Sequence, residues 1–128
     1  MSQGTFGEFC WNELATADVN KAKDFYGKVF GWQFNDIESK DMTYTIIKCK
    51  DKEMAGIWQI PKDQQSQIPP HWMAYIYVKD VSESLNKAKQ HGAQEVKGVT
   101  QVGEMGRFAI IVDPTGAHIA LWESSGQM

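Results

Sequence analysis

One pattern occurs twice along this chain and limits its fold more than any other. An extended stretch ending in Asp18-Val19 leads into a helical run that stops at Phe30-Gly31-Trp32. Tyr75-Ile76-Tyr77-Val78-Lys79-Asp80-Val81 leads into a second helical run that stops at His91-Gly92-Ala93. Asp18 precedes Gly31 by 13 residues, and Asp80 precedes Gly92 by 12. Strand-like segments close each half. A β-α-β-β-β unit leaves one face of a short sheet uncovered, and a second copy can help enclose it. The expected fold is therefore α+β: two tandem βαβββ modules, each a curved mixed sheet with a helix on its outer face. Both modules are expected in a single domain over residues 1–128, with module 1 at about 6–61, a linker at about 62–70 and module 2 at about 71–124.

Local signals support each element. Residues 8–16 read as a first strand, and Asp18 offers a carboxylate to the first free N–H groups of a helix. Ala22, Phe25, Tyr26, Val29 and Phe30 make an apolar stripe suited to a helix laid across a sheet. Gly31 can take the positive φ of a helix C-terminus. Strands are expected from Trp32, over Met42–Lys50 and over Met54–Ile60, and a proline-rich linker then runs from Pro61 to Pro70. In the second half, Trp72–Val78 is a strand and Asp80 or Ser82 caps the helix. Glu95–Val99 is short and extended. Arg107–Val112 and His118–Trp122 form a hairpin about Asp113-Pro114-Thr115-Gly116, and a polar tail starts at Ser124.

Composition narrows the class. The hydrophobic fraction is 42% in 128 residues, enough for a folded core. A net charge of −3 without long blocks of one sign argues against nucleic acid or an anionic membrane as the main partner. No apolar run approaches the about 18 residues that span a bilayer, and no secretory signal is visible, so a cytoplasmic location is expected. Cys10 and Cys49 lack metal-binding spacing and lie in strand-like runs, which favours two buried, reduced thiols. Gly103-x-x-Gly106 is not a phosphate loop, because no Lys-Ser/Thr follows it.

Three stretches together resemble a known family: Trp11-x-Glu13-Leu14-x-Thr16-x-Asp18, Ala22-x-x-Phe25-Tyr26-x-x-Val29-Phe30-Gly31-Trp32, and Asp113-Pro114-x-Gly116. They are similar to the vicinal oxygen chelate superfamily, which includes glyoxalase I, bleomycin-resistance proteins and extradiol dioxygenases. The resemblance runs from about residue 6 to residue 123 and is nearest to the small glyoxalase/bleomycin-resistance-like members. It implies the two-module fold, and it implies homodimers with sites near their interface. It also implies metal ligands on the first and last strands of the modules. The first-strand ligand positions carry Trp11 and Met73 here, and the closing-strand positions carry Glu123 and, with a two-residue gap, Gln59. An indole offers no lone pair to a divalent cation, and a thioether suits soft metals. His71 is a further candidate ligand, two residues before Met73; His91 and His118 read as structural.

Strand alternation then predicts which residues share a face. Trp11 carries Glu13 with it, and Met73 carries Tyr75 and Tyr77. Glu123 brings Leu121 and sends Trp122 toward a helix; Gln59 brings Ile57 and sends Trp58 outward. The expected site is a cavity lined by Trp11, Glu13, Gln59, Met73, Tyr75, Tyr77 and Glu123. Aromatic walls and two carboxylates suit a flat or cationic organic molecule. Two functions compete. One is a small-molecule binding protein with no cofactor, independent of metal. The alternative is a lyase, isomerase or dioxygenase that uses a divalent metal, with Glu123 as ligand or base and Glu13 as a second catalytic candidate.

Overall fold

The structure is a computed structural model that describes residues 4–38 and 43–125. Met42, read as the opening of a strand, lies outside the described residues, as does the tail beyond Ser125. The element order is β1(Phe9–Thr16), α1(Val19–Phe30), β2(Gln33–Glu38), β3(Thr43–Cys49), β4(Lys52–Gln59), β5(His71–Tyr77), α2(Val81–Gln90), β6(Gln94–Val102), β7(Gly106–Val112) and β8(His118–Ser124). A short 3-10 turn, Lys62–Gln64, lies in the linker. Both modules have the predicted βαβββ order and the same strand pairing: β2-β3-β4-β1 in the first and β6-β7-β8-β5 in the second. Each opening strand runs parallel to its closing strand, and the other pairs are antiparallel. By contact density the chain forms two compact units, one of Asn12–Trp72, the other of Met73 onward with Trp11 and what precedes it.

In the Asn12–Trp72 unit the helix begins where the capping chemistry requires. The Asp18 carboxylate accepts the Lys21 N–H at 3.0 Å, and Gly31, at φ 72°, ends the helix with its N–H on Gly27 O. Leu14, Ile47, Ala55 and Ile57 are buried beneath α1. The fully buried Ile47 and Ile57 contribute about 1.5–3 kcal/mol each. The helix is turned relative to the predicted stripe. Val19, Ala22, Lys23, Tyr26 and Gly27 are half-buried, whereas Phe25, Val29 and Phe30 are 56%, 54% and 58% exposed. Two contacts set this rotation. Gly27 lets the helix close on Phe34, where a Cβ would already touch the ring at 3.4 Å, and Lys23 turns inward to pair with Asp36 of β2 at 3.0 Å.

In the other unit Asp80, not Ser82, caps α2, accepting from the N–H groups of Ser82 and Glu83. Val78, Val81, Leu85, Ala109, Ile111 and Leu121 pack between α2 and its sheet. The β7–β8 turn is held by Asp113, whose Oδ1 accepts from the Thr115 hydroxyl and from the N–H groups of Thr115 and Ala117. Those donors hold its carboxyl below the usual range, the Thr115 hydroxyl first. Both cysteines are free. Neither is fully buried, contrary to expectation: Cys10 is half-buried, and Cys49 is exposed because it ends β3 beside the Lys50 turn. No helix among the described residues is long and apolar enough to cross a membrane.

Candidate functional site

Cross-strand partners show which side chains share a face. In the first module Leu14, Ile57 and Thr45 form one rung, on the α1 side. The neighbouring rungs, Glu13–Gly56–Ile46 and Ala15–Trp58–Tyr44, fall on the opposite face. There the Tyr44 hydroxyl donates to Glu13 Oε2 at 2.7 Å. The ring reaches Glu13 by lying across Gly56, where any side chain would collide with it. Glu13 is thus a half-buried carboxylate held by a phenol on a face that also carries Trp58.

The second module repeats this plan with other chemistry. Its positions sit 62 residues on before the helix (Asp18 to Asp80) and 64 on after it (Trp58 to Trp122). Tyr75 therefore stands where Glu13 stands, Phe108 where Tyr44 stands, and Trp122 where Trp58 stands. Ile76, Leu121 and Ala109 form the rung beneath α2. Tyr75 and Phe108 lie on the other face with ring centroids 6.3 Å apart. Trp122 is buried there, its ring so close to Gly106 that a Cβ would meet Cζ2 at 2.8 Å. Trp11, Met73 and Tyr75 are buried and Tyr77 is half-buried. Met73, Tyr75 and Tyr77 share the face turned away from α2.

Gln59 and Glu123 do not join those faces, which corrects the predicted parity. Gln59 follows Ile57, and Glu123 follows Leu121, onto the helix side; Trp58 and Trp122 take the other face. The two residues are equivalent, as the two-residue gap predicted, and each serves a helix N-terminus. Gln59 Oε1 accepts the Val19 N–H at 3.4 Å, and its amide donates to Ala17 O. Glu123 Oε1 accepts the Val81 N–H at 2.9 Å. Arg107 forks onto Glu123, with Nη2 to Oε1 at 2.6 Å and Nε to Oε2 at 3.3 Å, and Asp80 lies 3.8 Å away. The hydrogen bond to Glu123 raises the Arg107 pKa further. His71 opens β5, and its Nδ1 lies 2.7 Å from Pro69 O.

A cavity of about 620 Å³ opens on the flank of α1, lined by Val19, Asn20, Lys23, Asp36, Thr45 and Gln59 among others. Its charged groups are already matched. Asp36 accepts from Thr45 Oγ1 at 2.6 Å and from Lys23, and these bonds hold its carboxyl below the ordinary range, Thr45 contributing most. Sequence inspection missed Tyr44. The signal was Gly56, a lone glycine inside the apolar strand Met54–Ile57, which marks a close approach by another group.

Solved structures share this fold. A Streptomyces coelicolor methylmalonyl-CoA epimerase in complex with 2-nitronate-propionyl-CoA matches with TM-score 0.67 at 12% identity, over 95% of this chain and 100% of that one. Methylmalonyl-CoA epimerase from Mycobacterium tuberculosis matches with TM-score 0.64 at 16% identity, over 97% and 93%. The expectation of no cofactor is corrected: these epimerase neighbours argue against a metal-independent assignment. Among the described residues no three His, Cys, Asp or Glu side chains converge. Glu123 and Gln59 already serve the two helix N-termini.

In sequence, the chain is 32% identical over 117 residues to a Mycobacterium tuberculosis protein named "Putative glyoxylase CFP32", a match that covers 90% of this chain. It spans 45% of that relative's length. Residues 9–121 match the model of the Glyoxalase/Bleomycin resistance protein/Dioxygenase superfamily, and the chain belongs to that superfamily.

Proposed function

We propose that this protein is an enzyme that moves a proton beside a carbonyl group of a small organic molecule, as an isomerase, epimerase or lyase, with Glu13 as the base. The Glu13–Tyr44 pair carries the reading. A strand carboxylate half removed from water is costly unless it is held, and here a phenol fixes its orientation at 2.7 Å. The equivalent residue of the second module, Tyr75, carries a phenol in place of a carboxylate. Epimerisation, the activity named for the fold neighbours, requires a proton to leave carbon and return. Glu13 would take that proton while the C–H electron pair moves toward the carbonyl oxygen. Return of a proton to the same carbon or its neighbour completes an isomerisation, and expulsion of a leaving group completes a lyase reaction. Trp58, on the same face, gives the flat part of a substrate an aromatic surface. Glu123, committed to Arg107 and to α2, acts as a structural anchor.

Deuterium exchange tests this. In D2O, with and without added divalent metal, the wild type should wash deuterium into methylmalonyl-CoA or a 2-oxoaldehyde–thiol adduct beside the carbonyl. Glu13→Gln should abolish the exchange and Glu123→Gln should keep it. Absence of exchange with both substrates, or wild-type exchange in Glu13→Gln, defeats the assignment.

A further inference from the structure

We propose that the cavity on the flank of α1 is a second ligand site, on the opposite side of the sheet from Glu13, for a small molecule bearing a guanidinium or amidinium group. The two modules differ at this one place. In the second, Arg107 and Glu123 are direct cross-strand partners and their side chains meet beside the N-terminus of α2. By the offset that relates Trp58 to Trp122, Thr43 stands where Arg107 stands, and Gln59 where Glu123 stands. Asp18 stands where Asp80 stands. The second module therefore supplies a guanidinium of its own, and the first has only a threonine.

The short side chain leaves room. Thr43 and Gln59 both line the cavity of about 620 Å³, together with Val19 and Asn20 at the start of α1 and with Asp36. That volume lies within the about 300–1,000 Å³ of small-molecule sites, so it takes a body as well as a planar head group.

The chemistry of the lining selects a cation. Arg107 shows how one is held at a helix N-terminus in this fold: its Nη2 lies 2.6 Å from Glu123 Oε1 and 3.8 Å from Asp80 Oδ1. In the first module Gln59 Oε1 accepts the Val19 N–H at 3.4 Å, a longer bond than the 2.9 Å of its Glu123 equivalent. An amide oxygen has a second lone pair to offer. Asp36 Oδ2 accepts from Lys23 at 3.0 Å and, as a carboxylate oxygen, can take one bond more. An anion entering the cavity would meet Asp36 and find Lys23 already paired with it. A guanidinium suits separated acceptors better than an ammonium does, because its N–H groups are fixed in a planar fork.

Amide NMR titration with N-butylguanidinium tests this, with thermal unfolding as the check on folding. In wild type, the Val19 and Asn20 amides and the Gln59 side-chain amide should shift and saturate. N-butylammonium should bind more weakly and butyrate should leave these signals in place. Gln59→Glu, which copies Glu123, should tighten N-butylguanidinium binding roughly fivefold, the gain from a charged over a neutral acceptor. Gln59→Glu with Thr43→Arg copies the whole Arg107–Glu123 pair and should abolish binding. No saturable shift in wild type overturns the proposal, as does binding that survives in the double variant or butyrate binding as tight as that of the cation. Tighter binding of a capped Gly-Arg-Gly peptide than of N-butylguanidinium would assign the cavity to an arginine of a partner protein and overturn the small-molecule assignment.

Discussion

Tyr44 lies across Gly56 so that its hydroxyl donates to Glu13 at 2.7 Å. Three strands contribute one residue each to this arrangement, and the glycine is what permits it. Gly56→Ala should displace the phenol and cost about 1–3 kcal/mol, read from urea unfolding. The same substitution placed on Tyr44→Ala should cost far less, because the clash is gone. Additive costs in that double-mutant cycle would show that the ring does not need the space above Gly56.

The helix anchors offer a second comparison between the modules. Glu123→Gln retains an oxygen for the Val81 N–H and reproduces the amide that Gln59 presents to α1, so it should be mild. Glu123→Ala leaves both Arg107 and the helix N–H without this partner and should destabilise by about 1–3 kcal/mol, reduced by the partial exposure of the pair. Equal effects of the two substitutions in thermal unfolding would remove the helix-anchoring role.

Much of this architecture is written in local chemistry. Asp18 with Gly31, and Asp80 with Gly92, mark both helices because capping and positive φ depend on residues close in sequence. The equivalence of Gln59 and Glu123 was legible for the same reason. Which sheet face each of them joins was not. Alternation separates two faces and does not say which lies beneath a helix; the Leu14–Ile57–Thr45 rung under α1 decides it. The rotation of α1 was hidden too, because the Gly27–Phe34 and Lys23–Asp36 contacts that set it are tertiary. The phenol that holds Glu13 comes from a strand 31 residues away, and only Gly56 hinted at it.

The cysteines should separate by reactivity. Cys49 is exposed, whereas burial raises the Cys10 thiol above its usual pKa and disfavours the thiolate that attacks. With a maleimide near neutral pH, Cys49 should label first and Cys10 slowly, and the Cys10 rate should keep rising above pH 9. Peptide mapping of a time course reads both rates. Equal labelling would show that the N-terminal end of β1 opens readily.

Acid stability should depend on Thr45. Its hydroxyl, and then Lys23, lower the Asp36 pKa in the folded protein. A depressed carboxylate contributes stability that is present above the unfolded pKa of about 3.9 and is lost as pH falls through the lower folded value. Thr45→Val removes the larger cause at a site that is 1% exposed, with little change of volume. The Asp36 pKa should rise toward its unfolded value, and the acid-unfolding midpoint should move to higher pH. Lys23→Met should move it in the same direction by less, because the hydroxyl bond remains. An acid midpoint unchanged in Thr45→Val, with the Asp36 titration followed by NMR and also unchanged, would show that the Thr45–Asp36 bond is not maintained in solution.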